Sequence, residues 1–203
     1  MQYIALILLS LFVAGCQSDQ PISALDAAPK HVKTPTLNLN LYAAPASISG
    51  YHLQGDIGTE SQHTRLFRYI SDDQKQAIEI AIYALPGGWE QMDNERQVAG
   101  HYGQIRQSFA ERMVRSGAAN VLAEDESINT DPQTGTTVAQ ARLVGNGGKT
   151  VQQHIILLRT SDNLFVRLSM QPVINAVADM QSAHTALREF VAELEERDAQ
   201  MQN

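Results

Sequence analysis

The residue with the clearest potential for covalent chemistry is Cys16, the only cysteine in the 203-residue chain. It directly follows the small residues Ala14 and Gly15, and an apolar stretch over residues 4–13 that a single serine interrupts. Such a stretch is too short to span a bilayer, which takes about 20 residues, and is typical of the apolar core of a secretory signal. A signal peptidase requires small side chains before its cut, and a thiol is a nucleophile that can accept a diacylglycerol. The pattern therefore predicts a secretory signal whose small residues lie directly before a thiol that can be acylated.

The four residues Val13-Ala14-Gly15-Cys16 resemble the lipobox of bacterial lipoproteins. They depart from its commonest form at Val13, where leucine is more frequent, and residues 1–3 contain no lysine or arginine. The alternative is an ordinary secretory signal with an incidental cysteine. The resemblance implies a signal peptide over residues 1–15, cleavage between Gly15 and Cys16, and lipidation of Cys16. The mature N-terminus would then carry two or three acyl chains, which together anchor a protein durably. In the lipoproteins of Gram-negative bacteria, aspartate after the lipidated cysteine retains the protein at the inner membrane, so Gln17 implies an outer-membrane anchor with the domain facing the periplasm.

The charge balance bears on the class of partner. The net charge is −7, the pI is about 5.3, and no run of lysine or arginine occurs. Nucleic-acid binding requires a basic face that neutralises phosphates, so a nucleic-acid partner is not expected. The same balance disfavours docking of a basic patch on anionic lipid. A hydrophobic content of 43% is sufficient for one domain with a core.

A proline-containing segment follows the predicted lipidation site. Residues 16–49 hold four of the seven prolines and many small polar residues, a composition that buries little surface. The exception is LNLNLY at 37–42, whose strict alternation is also typical of an edge strand. We therefore expect a tether over 16–49, a folded domain over 50–198 and a short tail over 199–203.

Within the domain, the hydrophobic pattern predicts seven strands and two helices. The strands are expected at Tyr51–Ile57, Thr64–Ile70, Ala77–Leu85, Asn120–Ile128, Thr137–Val144, Val151–Arg159 and Leu164–Met170. The first helix ends at Ser116-Gly117, and its apolar stripe consists of Val98, Tyr102, Ile105, Phe109 and Met113. Pro172 is expected to begin the second helix, whose stripe consists of Ile174, Val177, Met180, Leu187, Val191 and Leu194. Segregated runs of strands with few helices indicate an α+β fold, a mainly antiparallel sheet with two main helices packed on it.

The order of these elements resembles the PsbP/DcrB-like fold, a small sandwich found in envelope and thylakoid-lumen proteins. The stretch Leu85-Pro86-Gly87-Gly88-Trp89, which closes a strand before the first helix, adds to the resemblance. Members of that family serve mostly as accessory or binding modules, so the resemblance implies no catalytic residues. Another antiparallel α+β sandwich is the alternative.

Three other patterns could do chemistry, and each has a simpler interpretation. GNGGKT at 145–150 resembles the end of a phosphate loop but lacks its first glycine and its helix, so Asn146-Gly147 is interpreted as a two-residue hairpin turn. The acidic cluster at 124–126 suits a solvated edge strand in which Asp125 points away from its neighbours. The six histidines are not spaced as metal ligands; they are His31, His52, His63, His101, His154 and His184. With no nucleophile elbow and no S-x-x-K pattern, the sequence predicts no catalytic residue, no metal and no cofactor.

One corner of the chain suggests a binding surface. Trp89, the only tryptophan, directly follows two glycines between a strand and the first helix. Its indole either caps the core or lies in a surface that contacts a partner, where amphipathic rings are enriched. Tyr83 and Tyr102 are the expected neighbours of Trp89 in such a surface.

These observations favour a membrane-anchored envelope lipoprotein with a non-catalytic domain. Its acyl chains insert into the membrane, and its domain acts on another envelope component, which we expect to be a protein. The second hypothesis is a small-ligand or lipid-binding carrier that uses the space between sheet and helix. A third, an envelope hydrolase, has only the predicted location in its favour.

Overall fold

A computed structural model describes residues 39, 42–59, 64–147, 151–159, 164–172 and 180–201. Over these residues the chain forms an eight-stranded antiparallel sheet with two helices packed against it. This arrangement confirms the predicted α+β class. Gly15, Cys16 and residues 17–38 lie outside the described part of the chain.

All seven predicted strands occur, with bounds that differ from the expected ones by at most two residues. The elements are β1 Ser47–Ile48, β2 Tyr51–Thr59, β3 Thr64–Ser71, β4 Gln76–Ala84, α1 Asn94–Arg115, β5 Asn120–Thr130, β6 Thr137–Asn146, β7 Val151–Arg159, β8 Leu164–Pro172 and α2 Met180–Met201. The strand order is β1-β2-β3-β4-β8-β7-β6-β5. The last four strands therefore form a meander whose final strand, β8, returns to pair with β4 at the centre of the sheet.

The meander confirms the hairpin interpretation of the glycine-rich loop. Strands β6 and β7 pair antiparallel, and the pair nearest their connection joins Gly145 to Val151. This connection is longer than the two-residue turn that Asn146-Gly147 suggested. Because a strand follows the loop in place of a helix, the loop offers no helix N-terminus to a phosphate.

The central strands are buried on both faces because each face of the sheet carries one helix. In β4, Ile78, Ile80 and Ile82 lie in the core under α2. Ala81 and Tyr83, which alternate with them, lie in the core under α1. All five residues of the predicted α1 stripe are buried in that second core, which confirms the helix and its register.

The N-terminal boundary of the domain lies earlier than residue 50. Leu39, Tyr42 and Ile48 are buried in the core under α2, although the sequence analysis placed them in the tether. Arg65 Nη1 donates to the Leu39 carbonyl at 2.6 Å, so the backbone is held as well as the side chains. Burial of several large apolar side chains outweighs the weak ordering tendency of a proline-containing segment.

Of the segment 37–42, for which an edge strand was one of two interpretations, the structure describes Leu39 and Tyr42. Leu39 has 3₁₀ geometry and Tyr42 lies in irregular backbone. The edge strand of the described sheet is β1, which pairs with β2 through Ser47 and Ile48. Leu39 and Tyr42 are therefore held by burial in the core.

The prediction that Pro172 begins a helix is wrong. Pro172 is the last residue of β8 and lies opposite Gln76 of β4. Proline has no N–H to donate to a neighbouring strand, so it is tolerated where the hydrogen-bonded ladder ends. Helix α2 is described from Met180, and residues 173–179, with the predicted stripe positions Ile174 and Val177, lie outside the described residues.

Candidate functional site

The corner between β4 and α1 is a fixed structure built by short-range hydrogen bonds. The Trp89 N–H donates to the Pro86 carbonyl at 3.1 Å, and the Met92 N–H donates to the Trp89 carbonyl at 2.9 Å. The buried Gln97 amide then donates to the carbonyls of Trp89 and Met92, at 2.7 and 2.8 Å. Asp93 caps the helix by accepting from the Arg96 N–H at 2.8 Å. The corner therefore positions Trp89 with little freedom.

Trp89 lies against α1 and is half-buried. A side chain at Gly100 would meet the indole, because a Cβ built there lies 3.5 Å from Trp89 Cη2. The indole meets the His101 ring edge to face, with ring centroids 6.0 Å apart. The packed part of the ring covers the end of the core under α1, and the rest of it is open to solvent. The packed part of the indole fits the core-cap interpretation, and a contact between its open part and a partner stays a prediction.

Tyr83 belongs to a buried polar pair under the tryptophan. Its hydroxyl lies 2.8 Å from His101 Nε2, and the His101 ring packs on Phe165 with centroids 4.7 Å apart. Burial raises the pKa of the Tyr83 hydroxyl and lowers the pKa of His101 to about 4. Tyr83 is only 7% exposed, so it supports the corner from beneath and offers no ring to a partner.

The low pKa of His101 predicts an acid-sensitive fold. Burial is the main cause, and the charge of Arg167 adds to it. An unfolded His101 titrates near its ordinary pKa of about 6.5, so between that pH and pH 4 the unfolded chain binds the extra proton. Stability is therefore complete above pH 6.5 and is lost as the pH falls towards 4, by about 2 kcal/mol between pH 7 and pH 5. Urea unfolding across this pH range measures the loss.

Two histidine variants separate the contribution of His101 to the pH dependence of stability from that of His184. His101→Phe should unfold more easily at pH 7, because Tyr83 loses its partner, yet show a flatter dependence on pH. Burial also lowers the pKa of the half-buried His184, so His184→Gln should flatten the dependence less. An unchanged pH dependence in His101→Phe would contradict the assignment.

Tyr102 forms a second polar contact, between α1 and β5. Its hydroxyl donates to Glu126 Oε1 at 3.0 Å, and Arg106 Nη1 donates to the same oxygen at 2.8 Å. Burial, helped by the bond to Glu126, raises the pKa of Tyr102. This contact joins α1 to the edge strand β5 and buries Tyr102, so of the three predicted surface residues only Trp89 has an exposed portion.

The acidic cluster on β5 differs from its prediction because the strand is bulged. Asp125 has a φ of +52°, and the pairing register shifts between Glu124 and Ser127. Arg142 consequently pairs with both Glu124 and Asp125, at 2.7 and 3.2 Å, so Asp125 does not point away from Glu124. The extra residue turns Glu126 to the opposite face, where α1 lies. The interpretation as an edge strand is confirmed.

Two arginines on the α1 side of the sheet were not predicted from the sequence as site residues. Arg167 of β8 is 7% exposed and its Nε has no hydrogen-bond partner. Arg112 of α1 has a buried Nη2 that also has no partner. The Cζ atoms of Arg112 and Arg167 lie 4.6 and 5.5 Å from the centroid of the Phe109 ring. The signal in the sequence was the arginine within the mostly apolar strand LFVRLSMQP. Arginine is rarely buried unless it is paired, so an arginine in such a strand suggests a functional role.

Comparisons with known proteins leave the site to be interpreted from its geometry. No protein-family model matches the chain, and no curated protein matches its sequence. Among the described residues, no three histidine, cysteine, aspartate or glutamate side chains lie together as a metal site. His31 and His63 lie outside the described residues. No helix within the described ranges is long and apolar enough to cross a membrane.

Proposed function

We propose that this protein is a bacterial envelope lipoprotein, anchored at the outer membrane by acyl chains on Cys16, whose α+β domain binds another envelope protein without catalysing a reaction. The observation that carries the proposal is the position of the only cysteine, directly after Val13-Ala14-Gly15 and the apolar stretch. Residues 17–38 separate that cysteine from Leu39, the first described core residue. The chain therefore has room to hold its domain away from the acyl chains.

The corner at Trp89 is the surface that suits a protein partner best. It combines the open part of the indole with Met92, which is 43% exposed. Aromatic residues and methionine are enriched in interfaces because they bury much apolar area. Asn94 Nδ2 donates to the Gly135 carbonyl at 3.1 Å, which holds the turn between β5 and β6 beside the same corner. A rigid corner loses little conformational entropy when a partner binds.

Replacement of Trp89 tests the two roles of the indole together. Trp89→Ala should lower the free energy of unfolding by about 2 kcal/mol, because roughly half of a large ring leaves the core. It should also remove the crosslink to the partner when the tagged full-length protein is crosslinked in cells and the captured proteins are identified by mass spectrometry. Chemical denaturation of the purified variant measures the first effect.

A second variant keeps binding separate from folding. Met92→Glu changes an exposed side chain, so it should leave stability within about 0.5 kcal/mol of the wild type and still remove the crosslink. The matched control is Val114→Glu, at the other end of α1, where the side chain is 50% exposed. Loss of the same partner in both variants, or in neither, would exclude the corner as the binding surface.

A further inference from the structure

Arg167 occupies a position in the sheet that normally holds an apolar residue. It lies on β8, opposite Ala81 of β4 and Leu157 of β7, so it has a strand on each side. Both of those neighbours belong to the core under α1. Arg167 is 7% exposed, and its Nε has no hydrogen-bond partner. A guanidinium therefore lies under α1 with at least one N–H unused.

Arg112 brings a second guanidinium to the same place. Its Cζ lies 4.6 Å from the centroid of the Phe109 ring, and the Cζ of Arg167 lies 5.5 Å from the same centroid. Burial and the charge of Arg167 lower the pKa of Arg112, as expected for two cations that are close and partly desolvated. Glu79 acts on Arg112 through its charge, but no ion pair joins either arginine to an acidic group within the described residues.

The ring of Phe109 compensates these charges only in part. Cation–π contacts attract a guanidinium to a ring face, yet the ring accepts no conventional hydrogen bond from the N–H groups. Arginine stays protonated and carries five N–H donors in a planar fork. A buried N–H without a hydrogen-bond acceptor lowers the stability of the fold, and the two positively charged guanidinium groups repel each other. An anion with several oxygen atoms that both side chains can reach would offset both costs.

We propose that Arg112 and Arg167 bind the phosphate group of a small ligand between α1 and the sheet. A tetrahedral phosphate offers at least three oxygens, so it can accept from two forks that are not coplanar, whereas the two oxygens of a carboxylate are satisfied by one fork. A phosphate can also carry a charge close to −2, which matches the two guanidinium groups. This site goes beyond the proposed anchoring and partner binding, because it is a property of the folded domain whether or not Cys16 is acylated.

Thermal unfolding of the full-length protein in detergent micelles tests the proposal. One arm contains inorganic phosphate, which represents a free phosphate. The other contains glycerophosphoglycerol, the soluble headgroup of a phospholipid. Both are compared with chloride at equal ionic strength. At least one probe should raise the melting temperature in a saturable way, and the tighter of the two identifies the source of the phosphate. If neither probe binds the wild type, the proposal is overturned.

Three variants assign the binding to the two arginines. Arg112→Gln and Arg167→Gln should each weaken binding by about tenfold or more, because each removes charge-assisted hydrogen bonds. The control is Arg188→Gln, an exposed position on α2 at the opposite face, and it should bind as the wild type does. If Arg167→Gln does not fold, Arg112→Gln decides, since Arg112 is only half-buried. Equal binding by Arg112→Gln and the wild type overturns the proposal.

Discussion

Cys16→Ala should remove all acyl chains from the protein and release it from its membrane anchor. The predicted site has one thiol, that of Cys16, to which a diacylglycerol can be joined. Each buried methylene of an acyl chain contributes about 0.8 kcal/mol to membrane binding. Loss of two or three chains therefore abolishes anchoring instead of weakening it. Intact mass spectrometry measures the acyl mass and the position of the N-terminus, which should be residue 16 in the wild type and not in the variant.

Gln17→Asp is the matched control for this experiment. It leaves Cys16 in place, so the protein should still be acylated and cleaved before residue 16. If the sorting rule of Gram-negative lipoproteins applies, the variant should fractionate with the inner membrane while the wild type fractionates with the outer membrane. A wild-type protein that begins at residue 16 with a free thiol would show an ordinary secretory signal, and the anchoring proposal would fail.

Phe190→Ala should cause the largest loss of stability among single changes in the folded domain, about 4 kcal/mol. Phe190 of α2 is fully buried and packs on three rings, two from β3 and one from the segment before β1. Its ring centroid lies 5.9 Å from that of Tyr42, 5.7 Å from that of Phe67 and 6.4 Å from that of Tyr69. Truncation leaves a cavity and also removes the aromatic contacts. Urea unfolding of the full-length protein measures the loss.

The same cluster tests whether the segment before β1 belongs to the domain. Tyr42→Ala should destabilise the protein, and the combined change with Phe190→Ala should cost less than the two separate losses added together, because the rings contact each other. Glu195→Ala, an exposed position on α2, should change stability by no more than about 0.5 kcal/mol. If Tyr42→Ala is as mild as Glu195→Ala, residues before β1 do not contribute to the core.

Local patterns were sufficient for seven of the eight strands and for α1, but not for the N-terminal boundary of the domain. The stripe at Val98, Ile105 and Met113 predicted α1 because a helix places every third or fourth residue on one face. The turn residues Asn146-Gly147 likewise predicted the hairpin between β6 and β7. Leu39 and Tyr42 were misplaced because their partners, Arg65 and Phe190, are distant in the sequence. A proline-containing segment orders only when such partners bury it.

The candidate site was likewise predicted from the sequence only in part. Trp89 was singled out from its position after two glycines, and the half-buried indole at the corner agrees with both interpretations that the sequence allowed. Tyr102 was expected beside Trp89, yet the bulge at Asp125 brings Glu126 to its hydroxyl instead. A bulge depends on the register between two strands and has no reliable signature within one of them. The sequence therefore identified the corner and missed which groups surround it.

By itself, the sequence determined the α+β class and nearly every strand, because each depends on composition or on a period within about ten residues. It also predicts the lipidation site at Cys16. Only the tertiary structure decided which strands are central and which helix covers which face. Arg167 illustrates the difference: its strand neighbours are compatible with an exposed or a buried position, and it is buried because β8 lies between β4 and β7. That pairing brings β4, which ends at Ala84, and β8, which begins at Leu164, into one ladder. Whether strands so distant in the sequence bury a residue depends on the balance of contacts over the whole chain, which no local pattern contains.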